Sequence, residues 1–597
     1  MKTSTFLLLF LFILTSGSLL AQNATIKGLV LDENNTPISG VSVATNENGT
    51  ETDFDGYYIL EVPENQEFVL IFSHISFKNI QVTIPELSPN SDFEFNPVMK
   101  IDVEQIGEVV ISRKKRMRIE GIQSITPETI RKMPSAIAGV ESLIKTLPGV
   151  NSNNELSTTY AVRGGNYDEN LVYVNEIEVY RPFLIRSGQQ EGFSFVNPDL
   201  TSTVDFSAGG FQAKYGDKLS SVLDISYRKP VNFGASVDLS LLGASVSAGG
   251  ASKNGRFTGI IGMRYRDNGL FVDAKETESN YDQAFTDLQT YLTYKFSNKF
   301  ILGFLGNISV NEYNFEPLTR QTNFGTIADP IALLVFYNGQ EQDRYDTYFG
   351  ALKSTHKLSE NYTAKFIASA YHTKEQEYYD IFAEYRLGEV NTDIGSEDLG
   401  EVEFSEGIGS QLTHARNDLD ALIINLEHKG ILNIGDNSIE YGVKYTNEDI
   451  RDRIQEYEVL DSAGFSIRPP IGDNGNNEPY EPFDAPLVPY TAVRAINDVQ
   501  IERISGFAQW SYRTMAGNSD LWLNAGVRAH NWTVSGKGIE SNTQTVFSPR
   551  AQISLKPDWE KDMLFRLSGG WYHQPPFYRE LRDATGTVRP EVKAQQS

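Results

Sequence analysis

Alternation of apolar and polar residues governs most of the chain. Leu288, Thr290, Leu292, Tyr294 and Phe296 share one face of an extended segment, and Gln289, Thr293 and Lys295 share the other. A period of two is the signature of a β-strand with two unlike faces. Ser297-Asn298-Lys299 then makes a short turn, and Phe300, Leu302, Phe304, Ile308 and Val310 carry the next strand. The pattern returns at 362–370, 422–428, 439–445, 521–527, 547–555 and 563–571. About 12 strands of the ~10 residues needed to cross a bilayer are expected after residue 230. Polar stretches near 312–343, 374–418 and 447–498 read as long loops. Short turns on one side and long loops on the other mark a transmembrane barrel. A soluble propeller is the competing architecture, and the absence of a fixed repeat period opposes it.

Residues 24–98 alternate over shorter spans. Ile26, Leu29 and Leu31 open a strand; Val41, Val43 and Thr45 line the next; Tyr57–Leu60 and Phe68–Phe72 follow. Gly, Asn and Asp turns every 8 to 12 residues predict a small Ig-like β-sandwich over 22–98. Asp53 and Asp55 sit where calcium ligands could, but the other ligands of a calcium loop are missing, so a turn is expected.

Between 121 and 228 the period changes. Thr126-Pro127 and Ser135 open short helices; Ile137, Val140, Ile144 and Leu147 recur at helical spacing, and Pro148-Gly149 stops the second. Strands at Tyr160–Val162, Leu171–Val174, Ile177–Tyr180 and Val222–Ile225 complete a mixed α/β domain.

At the start, Lys2 and the apolar run Phe6–Leu14, ending near Ala21, predict a cleaved secretory signal over 1–21. Nine apolar residues are too few to anchor in a bilayer. Residues 99–120 form a linker that holds a β-prone run, Glu108-Val109-Val110-Ile111, before the basic Arg113–Arg118. Such a run can add a strand to a partner's sheet edge.

Composition narrows the chemistry. The 597 residues carry 52 basic and 78 acidic side chains, a net charge of −26, which opposes a nucleic-acid partner. There is no Cys, so disulfides, thiolate metal sites and Cys nucleophiles are excluded. With a mean hydropathy of −0.33, helical membrane spans cannot dominate the chain. If the exported chain enters a membrane, it must do so as a closed barrel. His372-Thr373-Lys374-Glu375 has a zinc-peptidase spacing. On a strand, however, positions 372 and 375 point to opposite faces and could not share a metal.

Two resemblances follow. Ile26-Lys27-Gly28, Pro37–Val41 and Asp53–Tyr57 resemble the carboxypeptidase-regulatory-like domain over about 75 residues. Leu147-Pro148-Gly149-Val150, Arg163-Gly164-Gly165, Asn170–Tyr180, Gly209-Gly210-Phe211 and Tyr215-Gly216, in this order, resemble the plug domain of TonB-dependent outer-membrane receptors, here of the Bacteroidetes type. This resemblance implies a mainly β protein: β-sandwich, plug over 121–228, and a transmembrane barrel from 229. It makes Glu108–Ile111 a TonB-box-like segment. Arg163 stands out, because a charged residue between a strand and a glycine pair is placed to hold a plug to the barrel wall.

The implied function is active uptake, in the outer membrane, of a polar ligand such as an iron chelate, a glycan or a peptide. It needs no cofactor and no covalent chemistry. Its partners would be a TonB-type periplasmic energy transducer, outer-membrane lipids and a surface lipoprotein. A passive or adhesive barrel is the alternative. Family barrels close with 22 strands and end on an aromatic residue, so the resemblance also implies further strands beyond Ser597, after His573–Leu581.

Overall fold

In a computed structural model, the protein is described over residues 24–597. Residues 33–35, 46–47, 54, 64, 75–76, 90, 101–121, 126–138, 153–157, 181–194, 217, 268, 270–278, 327–328, 462–487 and 560–562 are excepted. The signal segment 1–21, the strand-adding run Glu108–Ile111, and the helix starts at Thr126 and Ser135 therefore lie outside the described residues. The chain divides into two compact units, 1–114 and 115–597.

The first unit is all β: β1 (Ala24–Leu29), β2 (Leu31–Asp32), β3 (Ser42–Ala44), β4 (Gly49–Glu51), β5 (Tyr57–Val62), β6 (Phe68–His74), β7 (Phe77–Ile84), β8 (Asp92–Glu94) and β9 (Val98–Met99). The sheet β5-β1-β8 and the sheet β4-β3-β6-β7 enclose a core of Ile26, Val41, Val43, Tyr58, Leu60, Leu70 and Phe72. Leu29 and Leu31 are only half-buried. Val30 between them is fully buried, because the chain bends there and its N–H is taken by the Gly56 carbonyl at 2.9 Å. Asp53 serves the turn: its Oδ1 accepts from the N–H of Asp55 at 3.0 Å and of Tyr57 at 2.9 Å.

The second unit begins with β10 (Gln123–Ile125), α1 (Val140–Ile144), β11 (Val150–Asn151), β12 (Ala161–Val162), β13 (Asn170–Val174), β14 (Ile177–Glu178), β15 (Thr201–Ala208) and β16 (Ser221–Tyr227). A five-stranded sheet runs β10-β15-β16-β13-β14. All five residues of β13 are buried. Leu171–Val174 therefore reads as a continuous apolar run, as expected where both faces are covered. Helix α1 lays Val140, Leu143 and Ile144 on this core.

A 14-stranded antiparallel sheet surrounds that domain: β17 (Gly234–Ser240), β18 (Gly243–Ala251), β19 (Phe257–Asp267), β20 (Ser279–Ser297), β21 (Phe300–Pro317), β22 (Arg320–Gly325), β23 (Pro330–Lys357), β24 (Tyr362–Val390), β25 (Val402–Ile434), β26 (Asn437–Asp461), β27 (Thr491–Ala516), β28 (Ser519–Gly536), β29 (Ile539–Lys556) and β30 (Phe565–Gly570). Each pairs with the next in order, except that β22 pairs only with β23. Among the described residues β17 and β30 end the sheet, and β22 has an unpaired side as well. The last segment holds β31 (His573–Gln574), a 3-10 turn at Tyr578–Leu581, and β32 (Gln595–Gln596).

Outward positions are apolar and exposed, as at Leu352 (50%), Phe366 (52%), Leu426 (54%) and Val443 (55%). Inward neighbours such as Gln289, Asn307, Ser309 and Ser369 are polar and buried. This is the inside-out alternation of a membrane barrel. Among the described residues no helix is long and apolar enough to cross a membrane.

The strand count and length correct the expectation. Among the described residues the strands of this sheet are 14, against about 12 expected, and β25 runs for 33 residues. Much of 312–343, 374–418 and 447–498 is strand, not loop. Beyond the apolar band both faces are polar, so the alternation disappears while the ladder of hydrogen bonds continues unbroken from Tyr362↔Leu432 to Tyr385↔Gly409.

Candidate functional site

The site is the seat of the plug-like domain in the wall. It has three parts, on different strands.

The first is the hairpin turn between β13 and β14. Asn175 (φ 53) and Glu176 (φ 70) both take the left-handed conformation that glycine normally supplies. The Asn175 Oδ1 steadies it by accepting from Tyr227 N–H at 2.9 Å. Lysines from four successive wall strands converge on the tip. Lys365 Nζ donates to both Glu176 carboxylate oxygens at 2.7 and 2.8 Å. Lys353 Nζ donates to the Asn175 carbonyl at 2.7 Å and lies 3.5 Å from Glu176. Lys429 Nζ donates to the Glu176 carbonyl at 3.2 Å and lies over the Tyr173 ring. Lys444 Nζ meets Glu178 at 2.6 Å. Partial burial pushes the Glu176 carboxyl up. The ammonium groups of Lys353, Lys365 and Lys429 outweigh it and hold the group at about 2.

The second part is the loop after β15. Gly210 (φ 57) offers its carbonyl to Gln552 Nε2 and Arg566 Nη2. Arg550 Nη1 donates to the carbonyls of Gln212 at 3.0 Å and Tyr215 at 2.6 Å, and its guanidinium stacks on Phe211 and Tyr572. Gln509 ties the same loop to β27, accepting from Lys214 N–H at 3.0 Å. Gly216 packs beneath Arg528.

The third part is Phe195–Asp199. A buried pair within the wall, Arg264 and Asp287 (2.9 Å from Nε), points Arg264 Nη1 at the Val196 carbonyl, 2.9 Å away. Gln289 accepts from Tyr227 Oη at 2.6 Å and donates to the Phe195 carbonyl. Ser245 Oγ donates to Asp199 at 2.8 Å.

The residues singled out in the sequence fall unevenly on this seat. Gly210, Tyr215 and Gly216 are in it. Gly209 (φ 71) turns the chain toward it, and the Arg163 side chain lies along Gly209. Arg163 (φ 52) and Gly164 (φ 85) form an exposed turn, and among the described residues Arg163 makes no ion pair. Gly165 leaves room for Ser220, whose Oγ donates to Glu169. Asn170 is an internal staple: its Nδ2 donates to the Tyr160 carbonyl at 2.7 Å, and its Oδ1 accepts from Ser221 at 2.7 Å. The lysine row, Arg550 and Gln552 escaped the sequence reading. Lys365 shares a face with Ile367, but that this face is the buried one is seen only in the fold.

Above the seat, the last segment crosses the inward face of the wall. Arg579 meets Glu375 and Glu377, each at 2.9 Å; Arg582 and Tyr578 meet Asp452 at 2.8 and 2.6 Å. Glu375 is thus committed to Arg579, while His372 on the other face pairs with Asp420 at 2.8 Å.

An antiparallel transmembrane-type strand wall around an α/β plug-like domain is the arrangement the structure shows, and comparison with known proteins agrees with it. Residues 26–111 match the CarboxypepD_reg-like domain family, and residues 114–221 match the TonB-dependent Receptor Plug Domain family. The chain is 25% identical over 288 residues to the TonB-dependent receptor SusC of Bacteroides thetaiotaomicron, covering 45% of this chain and 27% of that one. It is 26% identical over 227 residues to a TonB-dependent receptor of Formosa agariphila, covering 36% of this chain and 20% of that one. In fold it is similar to FpvA of Pseudomonas aeruginosa, solved bound to heterologous pyoverdine and iron. The TM-score is 0.50 at 12% identity, over 81% of this chain and 60% of FpvA. These matches make the chain a homologue of the TonB-dependent receptors, which are outer-membrane proteins. The matched stretch spans about a quarter of the curated relatives' length.

Proposed function

We propose that the protein is an energy-coupled outer-membrane receptor that imports a polar ligand. The observation that carries this reading is the seat itself. Charged and carbonyl-directed contacts from β18 to β30 hold a folded plug across the lumen. A path filled this way does not conduct passively, so passage requires work on the plug. Glu108–Ile111, just ahead of the plug, is the segment on which a TonB-type periplasmic partner would add a strand and pull. Ligand binding outside would favour the state in which that run is exposed. Iron chelates, glycans and peptides remain the ligand classes, and FpvA's pyoverdine–iron complex supports the first. Residues 1–21 would direct export, and a surface lipoprotein would assist capture.

Val110→Pro tests the coupling, because proline removes a strand donor and fixes φ. Uptake falls while ligand still binds at the cell surface. Unchanged uptake would favour a passive or adhesive barrel.

A further inference from the structure

The lysine row is an unusual thing to build into a wall. Lys365 and Lys429 are direct cross-strand partners, and like charges placed so repel. The side chains of Lys353, Lys365, Lys429 and Lys444 are only 13%, 15%, 16% and 14% exposed. Buried cations are tolerated only with counter-charges beside them. Glu427 of the wall reaches Lys429 at 3.1 Å. The other three lysines meet the plug carboxylates Glu176 and Glu178.

The turn carries a matching oddity. A glycine would relax the backbone at φ 70, yet the tip holds a glutamate. Non-glycine residues in that region are kept where the surroundings impose them. The surroundings here are three ammonium groups around one carboxylate.

We propose that Lys353, Lys365, Lys429 and Lys444 form an anion-binding site of the transport path, which Glu176 and Glu178 occupy while the plug is seated. When the plug leaves, the lysines stay on their strands; Lys353 and Lys365 lose Glu176 and Lys444 loses Glu178, while Lys429 keeps Glu427 of the wall. A carboxylate- or phosphate-bearing group on the moving ligand then takes the vacated place. Glu176 is thus the positioning residue of the closed state and a stand-in for the cargo's anionic group. The inference rests on the import reading above.

The test uses the full protein purified from outer membranes. Amide exchange over Val172–Ile177 reads the seat, and planar-bilayer current in a potassium chloride gradient reads the path. Glu176→Gln speeds exchange by about tenfold or more, the scale of one lost charge-assisted hydrogen bond, and opens a chloride-selective leak. Glu176→Lys combined with Lys365→Glu restores slow exchange, which a merely space-filling role would not produce. Adding Lys365→Glu and Lys429→Glu to Glu176→Gln turns the leak potassium-selective. Unchanged exchange in Glu176→Gln, a failed charge swap, no leak, or a leak without chloride preference overturns the proposal. If these results hold while Val110→Pro leaves uptake intact, the import reading fails and the anion site stands.

Discussion

Arg528 lies flat on Gly216: a Cβ built on that glycine would fall 2.0 Å from Nε. The guanidinium cannot simply swing away, because Arg528 is 6% exposed and its Nη2 donates to Ser505 Oγ at 3.0 Å. Gly216→Ala is therefore expected to loosen the plug by about 1–3 kcal/mol, the usual cost of overpacking. Arg528→Ala in the same chain recovers most of that loss. Amide exchange across 211–216 in both variants checks it, and an additive double variant would show that the two residues do not share a contact.

On the opposite side, the Arg264–Asp287 pair acts through the plug backbone. Asp287→Asn leaves a buried guanidinium with half its partners, at a cost of about 3–5 kcal/mol. The loss is expected to appear first as exposure of Phe195–Asp199, where Arg264 and Gln289 hold carbonyls. Proteolysis within that stretch, ahead of any cleavage of wall strands, is the measurement. Replacing both residues by leucine costs less than removing either alone.

Period and turn chemistry made the strand wall and the small all-β unit legible. Leu288–Phe296 and Phe300–Val310 fall on β20 and β21 with the expected turn between them. Gly210 and Tyr215-Gly216 were singled out as motif residues and lie in the seat. The lysine row was not legible, because a lysine on a strand reads as a solvated position until the strand's neighbours are known. Lys365 faces Glu176 across 189 residues of sequence, and no local pattern encodes a partner so distant. The extent of β24 and β25 was missed for a different reason: pairing continues where both faces are polar, so hydropathy loses the strand before the hydrogen bonds do.

The outward apolar face predicts a sharp asymmetry between neighbouring positions. Leu426 is 54% exposed on the lipid side of β25. Leu426→Arg is expected to be destabilising, by up to about 2–4 kcal/mol, the scale for an arginine on the lipid face at the bilayer midplane. An arginine at Asn425, on the inward face, avoids lipid and costs less. Heat-modifiable migration and urea midpoints in lipid vesicles compare the two, and equal losses would mean the face assignment is reversed.

Acid should act on the plug in two opposite senses. Burial raises the Asp224 carboxyl to about 6, with Lys214 pulling it down and Glu176 pushing it up, and Tyr215 Oη donates to it at 3.1 Å. A carboxyl whose folded value lies above its ordinary 3.8 holds its proton better when folded. Stability from this group is therefore full below about 4 and is lost as pH rises toward 6, by on the order of 1–2 kcal/mol after solvent screening. Glu176 behaves the other way. Its folded value of about 2 lies below its ordinary 4.5, so its contribution is present above about 4.5 and fades as pH falls toward 2. Together they place the tightest seat between about pH 4 and 5. Amide exchange over 172–177 and 222–225 across pH 3 to 7 checks the curve. Asp224→Asn removes the loss on the alkaline side and leaves the acid side intact; Glu176→Gln does the reverse. A flat profile in the unaltered protein would mean that neither carboxylate is coupled to seating.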